Sequence, residues 1–259
     1  MQTQKVIDYI VDWMRQYAAD AGMGGFAVGV SGGIDSAVTS TLCGKTGLPV
    51  MALNMPIRQA VAQKTLADQH VRWLHERFEN VTGLTADLTP VLEAFEQTLP
   101  EEIRDPLTMA NTRARIRMAT LYAYATHHRL LVAGTGNKVE DFGVGFFTKY
   151  GDGGVDIGPI ADLMKTEVYE VARALGVMDA IVEAAPTDGL WQDNRSDEDQ
   201  IGASYEELEW AMRFEQSGGD ESGLVERQKQ GLAIYREFHR KNRHKMEPIP
   251  VAVVPQEYK

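Results

Sequence analysis

The sequence predicts an α/β fold in which a parallel sheet carries helices on both faces. Three short apolar segments have the length and composition of buried strands: 26–30, 50–55 and 130–133. Helical segments separate them along the chain, and this alternation favours a doubly wound parallel sheet. Ligands of such sheets bind beyond the carboxyl ends of the strands. We therefore expect three loops to meet at one edge of the sheet: 31–36, 54–59 and 134–141.

The helices are predicted from apolar residues that recur every three or four positions. The first helix ends at Gly22 to Gly25 and carries one apolar stripe, made of Val6, Ile7, Ile10, Trp13, Met14 and Tyr17. This stripe could cover a second copy of the chain instead of the chain's own sheet. Further helices are expected at about 37–44, 60–78, 88–99, 107–128, 165–175, 204–214 and 224–241. No linker interrupts them, so residues 1–259 are predicted to form one domain.

The composition narrows the classes of partner. The chain has 259 residues, 44% of them hydrophobic, and a net charge of −11 with a pI near 5.0. Nucleic-acid binders usually carry a basic surface, so nucleic acid is not an expected partner. No apolar run is long enough for a membrane span, and the first residues do not resemble a secretory signal. Cys43 is the single cysteine, which excludes a disulfide framework. We expect a cytoplasmic protein.

One loop has the features of a phosphate-binding site. It lies between the first predicted strand and the following helix, and it consists of Ser31, Gly32, Gly33, Ile34, Asp35 and Ser36. Its two glycines let the backbone approach an oxyanion closely, and the helix start offers free N–H groups. Asp35 suits a Mg²⁺ ion held beside a pyrophosphate. The alternative is a serine–glycine turn in which Asp35 caps the helix.

This loop resembles the pyrophosphate loop of the N-type ATP pyrophosphatases, which split ATP between its α and β phosphates and activate a carboxylate or carbonyl group as an adenylate. Other segments resemble the NAD synthetase family, in the same order along the chain: 111–118, 134–140, 145–156, 163–166, 186–187, 202–205 and 244–245. The stretch FFTKYGDGG at 146–154 is the most specific of them. The similarity extends from about residue 5 to about residue 250.

The resemblance implies an adenine-nucleotide α-hydrolase-like fold and a homodimer. It implies ATP-dependent amidation of deamido-NAD to NAD with ammonia, through an adenylated nicotinate carboxylate and with release of AMP and pyrophosphate. Mg²⁺ is the implied cofactor, and ATP is the co-substrate. A glutaminase domain is not expected, because glutamine hydrolysis usually needs an activated cysteine and Cys43 has no histidine near it in sequence.

The resemblance also implies roles for individual residues. Lys165, Asp152 and Asp35 would be catalytic. The ATP site would contain the loop residues Ser31, Gly32, Gly33, Ile34, Asp35 and Ser36, with Arg117, Thr135, Lys165 and Thr187. The deamido-NAD site would contain Arg115, Lys149, Asp152, Asp156, His244 and Lys245.

Plainer interpretations exist for several of these residues. Arg113 and Arg117 share one face of a helix while Arg115 points elsewhere, so a solvated helix face is the simple alternative for the arginines. Lys165 lies near a helix start, where the dipole disfavours a cation, and it would otherwise be an exposed lysine. Glycine-rich loops also use aspartates such as Asp152 to form turns.

Two positions depart from the family pattern. The pattern has an arginine where this chain has Asn54, and Arg58 could supply the missing charge. The second metal ligand is Glu140 when counted forward from Gly134, or Asp141 when counted back from Gly145, which predicts one extra residue in this chain between the two glycines.

Two other functions fit part of the pattern. One is a different amide- or thio-forming ligase with the same loop, and the other is a non-catalytic nucleotide sensor. Intact Asp35, Lys165 and Asp152 argue against the sensor.

Overall fold

The computed structural model describes residues 1–59, 61–184 and 197–259, and of the side chains at 61–63 nothing is described. Within these residues four strands form one sheet, in the order β3-β2-β1-β4. The strands are β1 (Phe26–Gly29), β2 (Val50–Asn54), β3 (Val81–Thr85) and β4 (Leu131–Ala133). All three pairings are parallel, as the sequence predicts.

The strand order places a topological switch beside β1. In register, Phe26 pairs with Val50 of β2 on one side and with Leu131 of β4 on the other. The chain moves outward from β1 to β3 and then returns to the opposite side of β1. The loops that follow β1 and β4 therefore lie beside this switch point, where open α/β sheets bind ligands.

Helices cover both faces of the sheet, which confirms the doubly wound fold. One face carries α1 (Thr3–Asp20), α2 (Ile34–Lys45), α3 (Val61–Arg77) and α6 (Lys165–Leu175), and the other carries α4 (Thr89–Thr98) and α5 (Pro106–His128). The remaining helices are α7 (Asp179–Val182), α8 (Asp197–Ile201), α9 (Tyr205–Ser217) and α10 (Glu226–Met246). Short 3₁₀ turns lie at Glu101–Ile103, Glu221–Gly223 and Gln256–Tyr258.

The apolar stripe of α1 packs against the chain's own core. Ile7, Ile10 and Met14 are buried in one cluster with residues of α2 and α6. Trp13 and Tyr17, which the periodicity placed on the same stripe, lie at its edge and are exposed. The expectation that this stripe covers a second copy is therefore wrong, because burial within the monomer already satisfies it.

Strand β3 is the strand of the described sheet that the apolar patterns of the sequence do not predict. It forms the sheet edge, and only Val81 among its five residues is fully buried. Its remaining residues include threonines and a glycine, so no buried apolar run marks it. Gly83 is needed where α3 crosses, since a Cβ there would lie 2.2 Å from Val71 Cγ1.

The last helices form a separate layer beside the switch point. Leu208 and Met212 of α9 and Leu232 of α10 share a small core with Val139 and Val144, which begin and end a single π-helical turn. Helix α10 continues to Met246, five residues past its predicted end. In the described part of the chain, no helix is long and apolar enough to cross a membrane.

Candidate functional site

The phosphate loop lies where the sequence predicts it, between β1 and α2. Gly32 has a φ of +88°, a left-handed conformation that favours glycine. The Ser36 hydroxyl donates to Gly33 O at 2.9 Å and accepts from Ser31 N at 3.1 Å, so the loop closes on itself. Gly33 N donates to Ser31 Oγ at 3.2 Å. These contacts hold the start of α2 open towards the switch point, which is the arrangement that anion sites at helix starts use.

Asp35 does not cap α2, so the simple turn interpretation is wrong. No side chain caps this helix start. The Asp35 carboxylate instead accepts from Lys165 Nζ at 2.6 Å and from Asn137 Nδ2 at 3.1 Å. An acid one residue into a phosphate-loop helix is thereby turned towards the neighbouring loop.

Lys165 is the centre of the cluster. Its ammonium lies 2.6 Å from Asp35 Oδ2 and 3.0 Å from Glu140 Oε1, and the residue is only 3% exposed. The exposed-lysine interpretation is therefore wrong. Burial alone would lower the pKa of Lys165, but the charges and hydrogen bonds of the two carboxylates raise it above its ordinary value. The lysine is a fixed cation at the mouth of the phosphate loop.

Glu140 is held by three partners. It accepts from Lys165 and, at 2.5 Å, from the Tyr205 hydroxyl, while its backbone N–H donates to Asn137 Oδ1 at 3.1 Å. Burial would raise the pKa of Glu140, yet the charge of Lys165 and the bond from Tyr205 keep it below its ordinary value. The Tyr205 ring also lies 4.7 Å below the Lys165 ammonium. Sequence reasoning assigned Asn137 and Tyr205 no role, although both stand within its family segments.

Asp141 lies in the same π-helical turn, behind Glu140. A Cβ on Gly136 would come within 2.0 Å of Asp141 Oδ2, so only glycine fits beneath this carboxylate. Burial and the nearby charges of Glu140, Asp152 and Asp35 raise the pKa of Asp141 to about 8. The two candidates for the second metal ligand thus differ. Glu140 forms an ion pair with Lys165, as Asp35 does, whereas the charges that act on Asp141 are those of other carboxylates.

We expect Asp141→Asn to stabilise the metal-free protein by an amount that grows as the pH rises from about 4 to about 8. The pKa of this carboxyl rises from 3.8 to about 8 on folding, so folding takes up a proton across this interval. The stability of the unsubstituted chain therefore falls as the pH increases, and asparagine cannot titrate. Thermal unfolding in EDTA at several pH values measures the difference in Tm. A difference that stays constant with pH would contradict the assignment.

The carboxylates fit a hard cation in their chemistry. Oxygen donors are the ligands that Mg²⁺ prefers, and Asp35 and Glu140 converge on one point. That point is where the Lys165 ammonium stands, and in the described residues no three acids, histidines or cysteines already form a metal cage. Phosphate oxygens and water would therefore complete the coordination shell of a bound metal, as is usual for Mg²⁺ in nucleotide sites.

The arginines of α5 divide as the helix geometry predicts. Arg117 is half-buried and donates from Nε to Met55 O at 3.0 Å, and burial and the charge of Arg113 lower its pKa to about 10. The negative charge of Asp152 opposes that shift, so Asp152 lies close enough to Arg117 to interact with its charge. Arg115 points elsewhere, is exposed and donates to Lys149 O at 3.4 Å. The Arg113 and Arg117 face is thus turned inward and is not a solvated helix face.

Asp152 and Asp156 have different surroundings. Asp152 Oδ1 accepts from Thr148 N at 3.0 Å. Desolvation by the surrounding protein and the charge of Glu140 raise the pKa of Asp152, while the charge of Lys245 lowers it. Asp156 accepts from Val132 N at 2.8 Å and from the Tyr122 hydroxyl at 2.9 Å, so it anchors the loop to β4 and α5. Asp152 is thus close enough to Glu140 of the Lys165 cluster to feel its charge, whereas Asp156 holds the loop in place.

The end of α10 lies against the glycine-rich loop. Lys245 Nζ donates to Gly145 O at 2.6 Å and to Phe147 O at 2.8 Å. Lys149 Nζ reaches back to the backbone oxygen of His244 at 2.6 Å. The two predicted deamido-NAD segments are thus brought together, although they lie about a hundred residues apart.

The remaining predicted positions are described by their own surroundings. Thr135 is half-buried in the loop that follows β4. Thr187 lies outside the described residues. Asn54 is buried and donates to Asp68 Oδ1 at 2.7 Å. Arg58 forms an ion pair with Glu96 at 2.8 Å, so its use as a substitute for the arginine missing at position 54 stays a prediction.

Comparisons with known proteins agree with one another. The NAD synthase family model matches residues 6–249. The NH(3)-dependent NAD(+) synthetase of Methanosarcina acetivorans is 37% identical, over 97% of this chain and 98% of that protein. The structure of NMN synthetase from Francisella tularensis has a TM-score of 0.84 and 32% identity, and it covers 99% of both chains. The NH3-dependent NAD synthetase from Campylobacter jejuni has a TM-score of 0.79 and 26% identity, over 98% and 100%.

Proposed function

The chain belongs to the NAD synthase family, and we propose that the cluster of Asp35, Lys165 and Glu140 is the centre at which it works. The reaction is the ATP-dependent amidation of deamido-NAD to NAD with ammonia. One observation carries the proposed site: a buried ammonium stands between two carboxylates, directly beyond a loop built to bind phosphate. The fold class, α/β and adenine-nucleotide α-hydrolase-like, agrees with this function.

The reaction brings two anions together. A carboxylate oxygen of deamido-NAD attacks the α-phosphorus of ATP, and pyrophosphate leaves. Ammonia then attacks the acyl carbon, and AMP leaves with that oxygen. Lys165 is placed to offset the charge that develops on the phosphates, and its neighbours already hold it in position before the substrates bind. Because the cation is buried, its effect on the transition state is larger than it would be in water.

Asp35 and Glu140 would hold a Mg²⁺ ion. When bound, the metal would neutralise charge on the pyrophosphate leaving group. We favour Glu140 over Asp141 because Glu140 faces Asp35 across the Lys165 ammonium.

The other predicted residues would serve the two substrates at this centre. We propose that Ser31 to Ser36, Arg117, Thr135 and Thr187 bind ATP. Deamido-NAD would lie between α5 and the end of α10, against Arg115, Lys149, Asp156, His244 and Lys245. Asp152, whose pKa is raised, would accept the proton that ammonia loses as it becomes an amide.

A second candidate substrate has a specific observation behind it. One neighbour that matches over nearly the whole chain is named an NMN synthetase. The same centre would then amidate the mononucleotide of nicotinate instead of the dinucleotide. Either substrate presents the same carboxylate to ATP, so the geometry of the Lys165 cluster does not separate them.

The test is a comparison of acceptors with the purified chain. With ATP, Mg²⁺ and ammonium, we expect AMP to form in step with NAD, and kcat/KM to be higher for deamido-NAD than for nicotinate mononucleotide. A higher value for the mononucleotide would establish the second candidate. ATP turnover with neither acceptor would point to another ligase, and no turnover at all to a nucleotide sensor.

We expect ammonium, and not glutamine, to supply the nitrogen. We propose a single synthetase domain over 1–259, in which Cys43 is fully buried in α2 and burial raises the pKa of its thiol. A buried neutral thiol is a poor nucleophile. The rate with ammonia-free glutamine should therefore be at background level. Formation of NAD from glutamine that is lost in Cys43→Ser would contradict the prediction.

We also propose a homodimer in the cytoplasm, where ATP is available. The exposed surface of α4 and the start of α5 is the candidate interface, since it presents Val91, Phe95, Ile103 and Leu107. Exposed apolar patches of this kind often mark interfaces. Light scattering should give twice the chain mass, and the double variant Phe95→Asp, Leu107→Asp should be monomeric. Tyr9→Asp on α1 is the control, and a wild-type monomer at micromolar concentration would reject the dimer.

A further inference from the structure

A buried acid on α9 stands behind Lys165. Glu209 is 2% exposed, and its carboxylate reaches the first turn of α6. Oε1 accepts from Thr166 N at 2.8 Å, and Oε2 accepts from the Thr166 hydroxyl at 2.8 Å. Arg213, which is exposed, donates to the same carboxylate at 3.3 Å. A buried carboxylate is costly unless it is paired in this way, so packing alone does not explain its presence.

The contact lies next to the reactive group. Thr166 is the residue after Lys165, and both belong to the first turn of α6, whose positive dipole end disfavours the lysine. The Glu209 charge offsets that field and satisfies one of the free N–H groups of the helix start. It also fixes the position of the backbone from which the Lys165 side chain extends.

Helix α9 contacts the cluster at a second point, one turn earlier. Tyr205 and Glu209 are four residues apart and therefore share a face. Tyr205 contacts Glu140, while Glu209 contacts Thr166. One buried helix face thus touches both the lysine's helix and its carboxylate partner.

We propose that Glu209 is a positioning residue, which holds the start of α6 so that the Lys165 ammonium meets the developing charge on the α-phosphate. The inference rests on the proposed role of Lys165. Misplacing a catalytic group by about 1 Å costs on the order of 100-fold in rate. Since the Glu209 carboxylate is engaged by Thr166 and Arg213 and would act only through Lys165, its loss should change kcat and leave the KM values of ATP and deamido-NAD nearly unchanged.

The experiment is a variant series assayed for NAD formation. Glu209→Ala should lower kcat by about 10- to 100-fold with each KM within about threefold of wild type. Glu209→Gln should recover most of the rate, because its oxygen can accept from Thr166 N and its amide can donate to the hydroxyl. Glu215→Ala, an exposed glutamate on the same helix, is the matched control and should leave kcat unchanged.

A double-mutant cycle separates positioning from general damage. Combined with Lys165→Met, Glu209→Ala should lower kcat no further, since the group that Glu209 positions is gone. If Glu209→Ala fails to fold, Thr166→Val takes its place and should lower kcat by about threefold or more, again only when Lys165 is present. An unchanged kcat, a raised KM alone, or an equal loss in both backgrounds would overturn the inference. A wild-type chain that forms no NAD would overturn the proposed function as well.

Discussion

Lys165→Met should lower kcat by about 100- to 1,000-fold while changing the binding of ATP and deamido-NAD by less than about tenfold. The ammonium is buried and already held by Asp35 and Glu140, so it contributes most where phosphate charge develops in the transition state. Steady-state kinetics give kcat and KM, and calorimetry gives the binding constants.

The matched control is Lys64→Met, which removes an exposed lysine that forms an ion pair with Asp68. It should leave kcat unchanged. Lys165→Met leaves two carboxylates facing each other, so its Tm must be measured before its rate is interpreted. A folded Lys165→Met variant with an unchanged kcat and a raised KM would show that the lysine only binds substrate.

Asp35→Asn should lower the rate by at least about 100-fold and raise the Mg²⁺ concentration needed for half-maximal rate. Asparagine keeps the shape of the side chain and an oxygen that can accept from Lys165, but it removes the charge that a hard cation needs. The fold should persist, because Asp35 contributes no cap to α2. Rates measured against Mg²⁺ concentration test this.

Asp162→Asn is the control for Asp35, since its carboxylate is exposed and pairs only with Lys138 in the described structure. Its rate and Mg²⁺ requirement should match those of the unsubstituted chain. Near-normal turnover by Asp35→Asn at limiting Mg²⁺ would show that Asp35 does not hold the metal.

The strands and helices were predictable where their apolar patterns are strong. The phosphate loop was predictable because glycines and a helix start occur together in sequence. Strand β3 was not, since an edge strand buries little and carries no apolar run. The α1 stripe was predictable as a helix face, but periodicity does not reveal what a face packs against.

The ambiguity between Glu140 and Asp141 has a physical origin. The chain forms a π-helical turn over Val139–Val144, which has about one more residue per turn than an α-helix. A turn of this kind would accommodate the extra residue that the spacing between Gly134 and Gly145 predicts. Sequence counting cannot say which carboxylate an expanded turn points at Lys165, because that depends on the backbone.

The contacts around Lys165 were beyond the reach of sequence patterns. Asp35 lies 130 residues from Lys165, and Tyr205 lies 65 residues from Glu140. Only the fold brings them together at the switch point of the sheet. The resemblance to a known family supplied Asp35, Lys165 and Glu140 before the geometry was known, but it assigned no role to Asn137, Tyr205 or Glu209.

The substrate carboxylate should attack the α-phosphorus of ATP at the Lys165 centre. Deamido-NAD labelled with ¹⁸O in its nicotinate carboxylate tests it directly, with ATP, Mg²⁺ and ammonium present and the products separated for mass spectrometry. AMP should carry one labelled oxygen, and pyrophosphate should carry none. Label found in pyrophosphate or inorganic phosphate, or unlabelled AMP formed together with NAD, would contradict it.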